Sequence, residues 1–226
     1  MRLTREGVRI RKLKKPMVET KGPSNRQVRS DLDAEKAQGL GLKLLMQTGA
    51  LIASGMPATC NRRWCFIAGF AYILHGVQKD TNDLDILTRD PQCNEQLLSV
   101  IHELGFQERQ RGEDITQYIN PRSETTADIM TNHVWEFAPK RLFWDALIFI
   151  DYAQTRLPTP SLADMVILKA VVYHRRDPSN LKRQLDLRDV RSLVNRKLLS
   201  RASILARARL HNLQDSVRDF LDTAGI

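Results

Sequence analysis

The stretch that most constrains this 226-residue chain is Trp64 to Thr88, WCFIAGFAYILHGVQKDTNDLDILT. Trp64 to Ala68 is a short apolar run of strand composition, and Gly69 supplies a turn into an apolar helix from about Phe70 to His75. Gly76 breaks that helix, a polar loop follows, and a second strand is predicted over Asn82 to Leu87. Side chains alternate across a strand, so Asp83, Asp85 and Leu87 share one face while Leu84 and Ile86 pack behind them. Two carboxylates on a strand with an apolar back are costly unless a cation sits between them, and a divalent metal meets that need. The pair alone also fits a solvated turn, because Thr81-Asn82-Asp83 is good turn chemistry.

This segment resembles the signature of the nucleotidyltransferase superfamily, the polymerase-beta-like fold, and most of all its abortive-infection and toxin-antitoxin branch. That branch reads Gly-Gly, a small apolar helix ending in His-Gly, a basic pair, then Thr-x-Asp-x-Asp. The matching residues are Ala68-Gly69, Ala71, His75-Gly76, Gln78-Lys79, Thr81, Asp83 and Asp85. The resemblance implies an α+β fold, a mixed sheet flanked by helices with a C-terminal helical part. It also implies a third carboxylate from a later strand. Asp128, flanked by Ala127 and Ile129, matches best; Asp114 beside a predicted turn and Glu124 at the start of its strand rank lower.

The same resemblance implies two Mg2+ ions on Asp83, Asp85 and Asp128, an NTP substrate, and transfer of a nucleoside monophosphate to a hydroxyl acceptor. The nucleotide-binding positions it points to are Ala68, Gly69, Phe70, Lys79, Thr81 and Lys169. Two residues depart from the pattern: Ala68 replaces the first glycine, and Phe70 stands where relatives often carry Ser or Thr. These motivate an alternative, a catalytically silent scaffold that binds nucleic acid or a protein partner such as an antitoxin.

Charge divides the chain. The net +9 is spread unevenly, with ten Lys/Arg against two Glu in residues 1–30, 13 basic against 18 acidic in 31–173, and eleven basic against three Asp in 174–209. Residues 1–30, containing RIRKLKK, read as a mobile basic arm in which Arg9, Arg11, Lys12, Lys14 and Lys15 would track phosphates. A solvated tail and a nuclear address are the other readings of that arm. Residues 31–157 read as the catalytic domain and 158–226 as the helical segment. No apolar run reaches the length of a membrane span, and three cysteines without paired spacing suit reduced thiols in a cytoplasmic or nuclear setting.

The remaining elements follow from patterning. Asp31 or Asp33 would cap a helix to about Ser54, and Pro91 would open another that ends at Leu104 with Gly105 as its cap. Strands are expected at 106–109, 115–119 and 125–131 as an antiparallel extension beside the Asp83 strand, and at 146–150. Ser161 would cap a helix carrying Lys169, either beside the nucleotide phosphates or snorkelling to the surface. The helix from Leu181 to Leu199 carries Arg183, Arg188 and Arg191 as a candidate RNA-backbone face, with an ordinary solvated helix as the alternative. His75, at a helix end, is expected to bond exposed carbonyls and not to act in catalysis.

Overall fold

The computed structural model describes residues 25–79, 81–112, 115–131 and 144–226. The arm residues Arg9, Arg11, Lys12, Lys14 and Lys15, and also Asp114, lie outside them. The chain divides into two units between Gly39 and Leu40, and the site lies in the second.

In chain order the elements are α1 (Asn25–Gly55), β1 (Trp64–Ile67), α2 (Ala68–Leu74), β2 (Asp83–Thr88), α3 (Pro91–Glu103), β3 (Gln107–Arg111), β4 (Ile115–Ile119) and β5 (Thr126–Met130). A hairpin of β6 (Ile148–Tyr152) and β7 (Thr155–Thr159) follows. Then come α4 (Leu162–Arg175), α5 (Leu181–Asn195), α6 (Arg201–Arg209) and α7 (Gln214–Thr223). The fold is α+β: a five-stranded mixed sheet in the order β1-β2-β5-β4-β3, flanked by helices.

Local signals explain most boundaries. Asp90 caps α3 by accepting from the Cys93 N–H at 3.0 Å, with Pro91 at the first helical position, where its missing N–H costs nothing. Gly105, at φ +84°, lets the Gly105 and Phe106 N–H groups close back on the His102 and Ile101 carbonyls. Gly76, at φ +77°, ends α2 the same way on Ile73 and Tyr72. Ser161 caps α4 by accepting from the Asp164 N–H at 3.1 Å.

Two expectations are corrected. Helix α1 begins at Asn25, so Asp31 and Asp33 lie within it and not at its cap. The β3-β4-β5 meander is antiparallel, but β5 runs parallel to β2, not antiparallel. The reason is the connection: α3 carries the chain back so that β3 starts in the direction of β2, and the two hairpin reversals of the meander return β5 to that same direction. The register places Asp83 opposite Thr126 and Asp85 opposite Asp128.

Strand alternation then sorts the two faces. Trp64, Phe66, Leu84, Ile86, Ala127 and Ile129 point into a core shared with α1 and α3. Cys65, Ile67 and Leu87 point the other way, into a core built with α2 and with α4 to α7. Asp83, Asp85 and Asp128 therefore stand on the face covered by the C-terminal helices. Those helices are pinned by a fully buried carboxylate: Asp164 of α4 accepts from the Arg207 Nε of α6 at 2.6 Å.

Candidate active site

The site begins at the β1–α2 junction. Ala68 sits in the left-handed region at φ +49°, a conformation that glycine adopts without strain and alanine does not. The turn aims the Gly69 N–H at the Asp85 carboxylate. Gly69 is also a place of close approach, because a Cβ there would lie 3.0 to 3.1 Å from three atoms of the Thr81 side chain. Thr81 Oγ1 in turn accepts from the Asp83 N–H at 3.2 Å, so the glycine turn and the start of β2 are built against each other.

Asp83, Asp85 and Asp128 gather on one sheet face through register alone. Asp83 accepts from the Thr126 hydroxyl, and Asp128 accepts from Gln117 Nε2 at 3.0 Å. Burial, then the charges of Asp128 and Asp83, push the Asp85 carboxyl up to about 7, against a smaller opposing effect of the Gly69 N–H and Lys182. Neither Thr126 nor Gln117 was marked by the sequence.

Among the described residues no three acidic, His or Cys side chains stand, as placed, where together they could hold a metal ion. The donor set nonetheless fits a hard divalent cation: three carboxylates on adjacent strands, two of them raising the pKa of the third. Each of the hydrogen bonds from Thr126 and Gln117 takes only one oxygen of its carboxylate, which leaves the second oxygen of Asp83 and of Asp128 for a cation.

Beside the glycine turn lies a cavity of about 320 Å³, lined among others by Gly69, Tyr72, Thr81, Met165, Leu168 and Lys169. Lys79 and Lys169 both reach it, but neither ammonium group is unpaired. Lys79 Nζ bonds Asp189 at 2.6 Å; Lys169 Nζ bonds Asp186 at 2.5 Å and Asp189 at 3.0 Å; Arg176 bonds the other Asp186 oxygen. Burial would lower the Lys169 pKa, but Tyr72, Asp186 and Asp189 outweigh it and raise the value. Lys169 is thus a network member at the cavity wall, not a snorkelling surface lysine.

Other expected residues are placed differently. The Phe70 side chain is fully buried and packs edge-on against Phe66, so only its backbone could face a ligand. Arg183 lies 4.0 Å over the Tyr173 ring, and Arg191 donates to the Ala224 and Thr223 carbonyls at the end of α7. Both are engaged within the chain; of the three candidate arginines of α5, Arg188 is exposed and borders a second small cavity with Tyr72 and Lys79. Glu124 occupies a turn at φ +56°, ahead of the strand that carries Asp128. His75 Nε2 donates to the Pro160 carbonyl at 2.8 Å, tying α2 to the start of α4, and burial lowers its pKa.

No family model matches the chain, and no curated protein does. Among solved structures, a nucleotidyltransferase-like antigenic protein from Paracoccidioides brasiliensis aligns with 77% of this chain and 92% of its own, at 14% identity and a TM-score of 0.47. The antibiotic-resistance factor ANT(2'')-Ia aligns with 78% and 95%, at 12% identity and a TM-score of 0.49. A putative nucleotidyltransferase from Thermotoga maritima aligns with 59% and 83%, at 15% and 0.36. At these values the functional reading rests on the chain's own geometry. Among the described residues no helix is long and apolar enough to cross a membrane.

Proposed function

We propose that this chain is a nucleotidyltransferase that moves a nucleoside monophosphate from an NTP to a hydroxyl acceptor. The observation that carries the reading is the register of Asp85 against Asp128, with Asp83 one step along the same face, beside a glycine turn at a helix start. The sequence resemblance supports the same chemistry independently of that geometry.

Asp83, Asp85 and Asp128 would hold two Mg2+ ions. Bound there, the ions would supply Lewis acidity at the acceptor hydroxyl and charge neutralisation at the leaving pyrophosphate. The chain's own groups orient the substrates. The Gly69 N–H at the α2 start bonds the Asp85 carboxylate and would be suited to a phosphate oxygen once that carboxylate turns to a cation. Gln117 and Thr126 fix the rotamers of Asp128 and Asp83 until the site is loaded. A bond forms between the acceptor oxygen and the α-phosphorus, the α–β phosphoanhydride bond breaks, pyrophosphate leaves, and the acceptor proton passes to Asp128 or water.

RNA, for instance a tRNA end, is the acceptor favoured by the basic stretches 1–30 and 174–209, and a toxin or defence role follows from the branch that the motif resembles. The test is transfer of label from each α-labelled NTP, with Mg2+ and total tRNA, in wild type and in the Asp83→Asn/Asp85→Asn protein. Label in RNA with wild type alone supports the reading in full, and label in protein keeps the chemistry but overturns the acceptor. No label under any condition, with the fold intact, overturns the enzymatic reading.

A further inference from the structure

Tyr72 lies one turn along α2 from Gly69. It is 2% exposed, and its hydroxyl has no hydrogen-bond partner among the described residues. Its ring lies beside two ammonium groups, with Lys79 Nζ 5.6 Å and Lys169 Nζ 5.7 Å from the ring centre. Both lysines direct their hydrogens to Asp186 and Asp189, not to the tyrosine oxygen. Tyr72 lines the cavity of about 320 Å³ beside Gly69 and also the smaller one of about 280 Å³ next to Arg188.

A buried hydroxyl without a partner is destabilising, and phenylalanine would pack the same space without that cost. The hydroxyl is therefore poorly explained by the fold. It is well explained by a ligand that supplies the missing acceptor.

We propose that the Tyr72 hydroxyl is a specificity-determining donor in a nucleobase site within this cavity, giving its hydrogen to an acceptor atom on the base. The proposal deepens the nucleotidyltransferase reading and rests on it. Three features favour the base over the phosphates. Met165, Leu168 and Val172 give the cavity apolar walls suited to a flat heterocycle. Lys79, Lys169 and Arg176 are already matched by Asp186 and Asp189, which leaves little uncommitted positive charge for a polyphosphate. Those two carboxylates also accept hydrogens, so an amino or imino group on the base finds a partner within the same lining. Burial holds the Tyr72 phenol up at about 12, which keeps it a donor at neutral pH. A base without a correctly placed acceptor would leave the hydroxyl orphaned and be disfavoured.

The test is Tyr72→Phe in the full chain. Affinities are measured with Mg2+ for the α,β-methylene analogues of the four NTPs, which lack the bond that breaks, and for inorganic tripolyphosphate; thermal unfolding is followed without ligand. The expected result is a Tm equal to or above that of wild type, about tenfold weaker binding of the best-bound analogue, flattened selectivity among the four, and unchanged tripolyphosphate binding. A clear fall in Tm would show that the hydroxyl has a structural partner and would overturn the proposal. Equal weakening of tripolyphosphate would assign the hydroxyl to the phosphates and overturn the base site. Unchanged selectivity with wild-type affinities would overturn Tyr72 alone, whereas a wild type that binds no analogue would overturn the parent reading as well.

Discussion

Asp85 of β2 and Asp128 of β5 are direct partners across a parallel strand pair, both on the face covered by the C-terminal helices. Placing them there has a measurable consequence for the metal-free protein. Asp85 is raised from its ordinary 3.8 to about 7, so between those values the folded chain keeps a proton that the unfolded chain has released. Stability contributed by this group is present at low pH, is lost as pH rises through that window, and is fully lost above 7. Asp85→Asn is therefore expected to melt several degrees above wild type at pH 8 with EDTA, with the difference shrinking toward pH 4. Thermal unfolding at both pH values checks it.

Ala68 occupies a backbone conformation that costs an alanine about 1 kcal/mol, partly offset by the greater chain entropy of a glycine. Ala68→Gly is expected to stabilise the protein by about 0.5 kcal/mol and to leave transfer intact. Urea unfolding reads the first, and the labelled-NTP assay the second.

The opposite change one residue later is expected to be harmful. Gly69→Ala places a Cβ 3.0 to 3.1 Å from the Thr81 side chain, whose hydroxyl accepts from the Asp83 N–H. Relieving that crowding shifts the start of β2. Transfer should fall by more than tenfold while unfolding free energy drops by only about 1 to 2 kcal/mol. A comparison of rates and denaturation midpoints separates the two effects.

Asp186 faces both Lys169 and Arg176 with a side chain that is only 9% exposed. Asp186→Ala leaves two partly buried cations short of a partner and is expected to cost about 2 to 3 kcal/mol. Arg218→Ala, which removes a pair with the largely exposed Asp215, should change stability by less than about 0.5 kcal/mol. Parallel denaturation curves at low and high salt test the contrast.

The strand-turn-helix-strand of the site was readable because its signals are local: an apolar run, two glycines at break points and alternating carboxylates. Asp128 was readable by the same alternation, since Ala127 and Ile129 fill the opposite face. Strand direction was not, because it depends on how α3 crosses the sheet before the meander. The network around Lys79 was not either: its partner Asp189 is 110 residues away, and no local pattern reports such a pairing. Charge composition did not report that Arg183 and Arg191 of α5 also serve Tyr173 and the α7 carbonyls, because a guanidinium satisfies packing and carbonyl bonds as readily as phosphate. Phe70 took a core position because Phe66 and α1 leave an apolar socket there, which the motif comparison could not weigh.

The most direct measurement is the Mg2+ dependence of nucleotidyl transfer in wild type and in Asp128→Asn, with far-UV circular dichroism and thermal unfolding on the same samples. The expected result is label transfer and equimolar pyrophosphate release that rise with Mg2+ in wild type and fall at least a hundredfold in a folded Asp128→Asn protein. Transfer by Asp128→Asn with the wild-type rate and metal dependence would contradict the assignment of the three carboxylates to one metal-holding site.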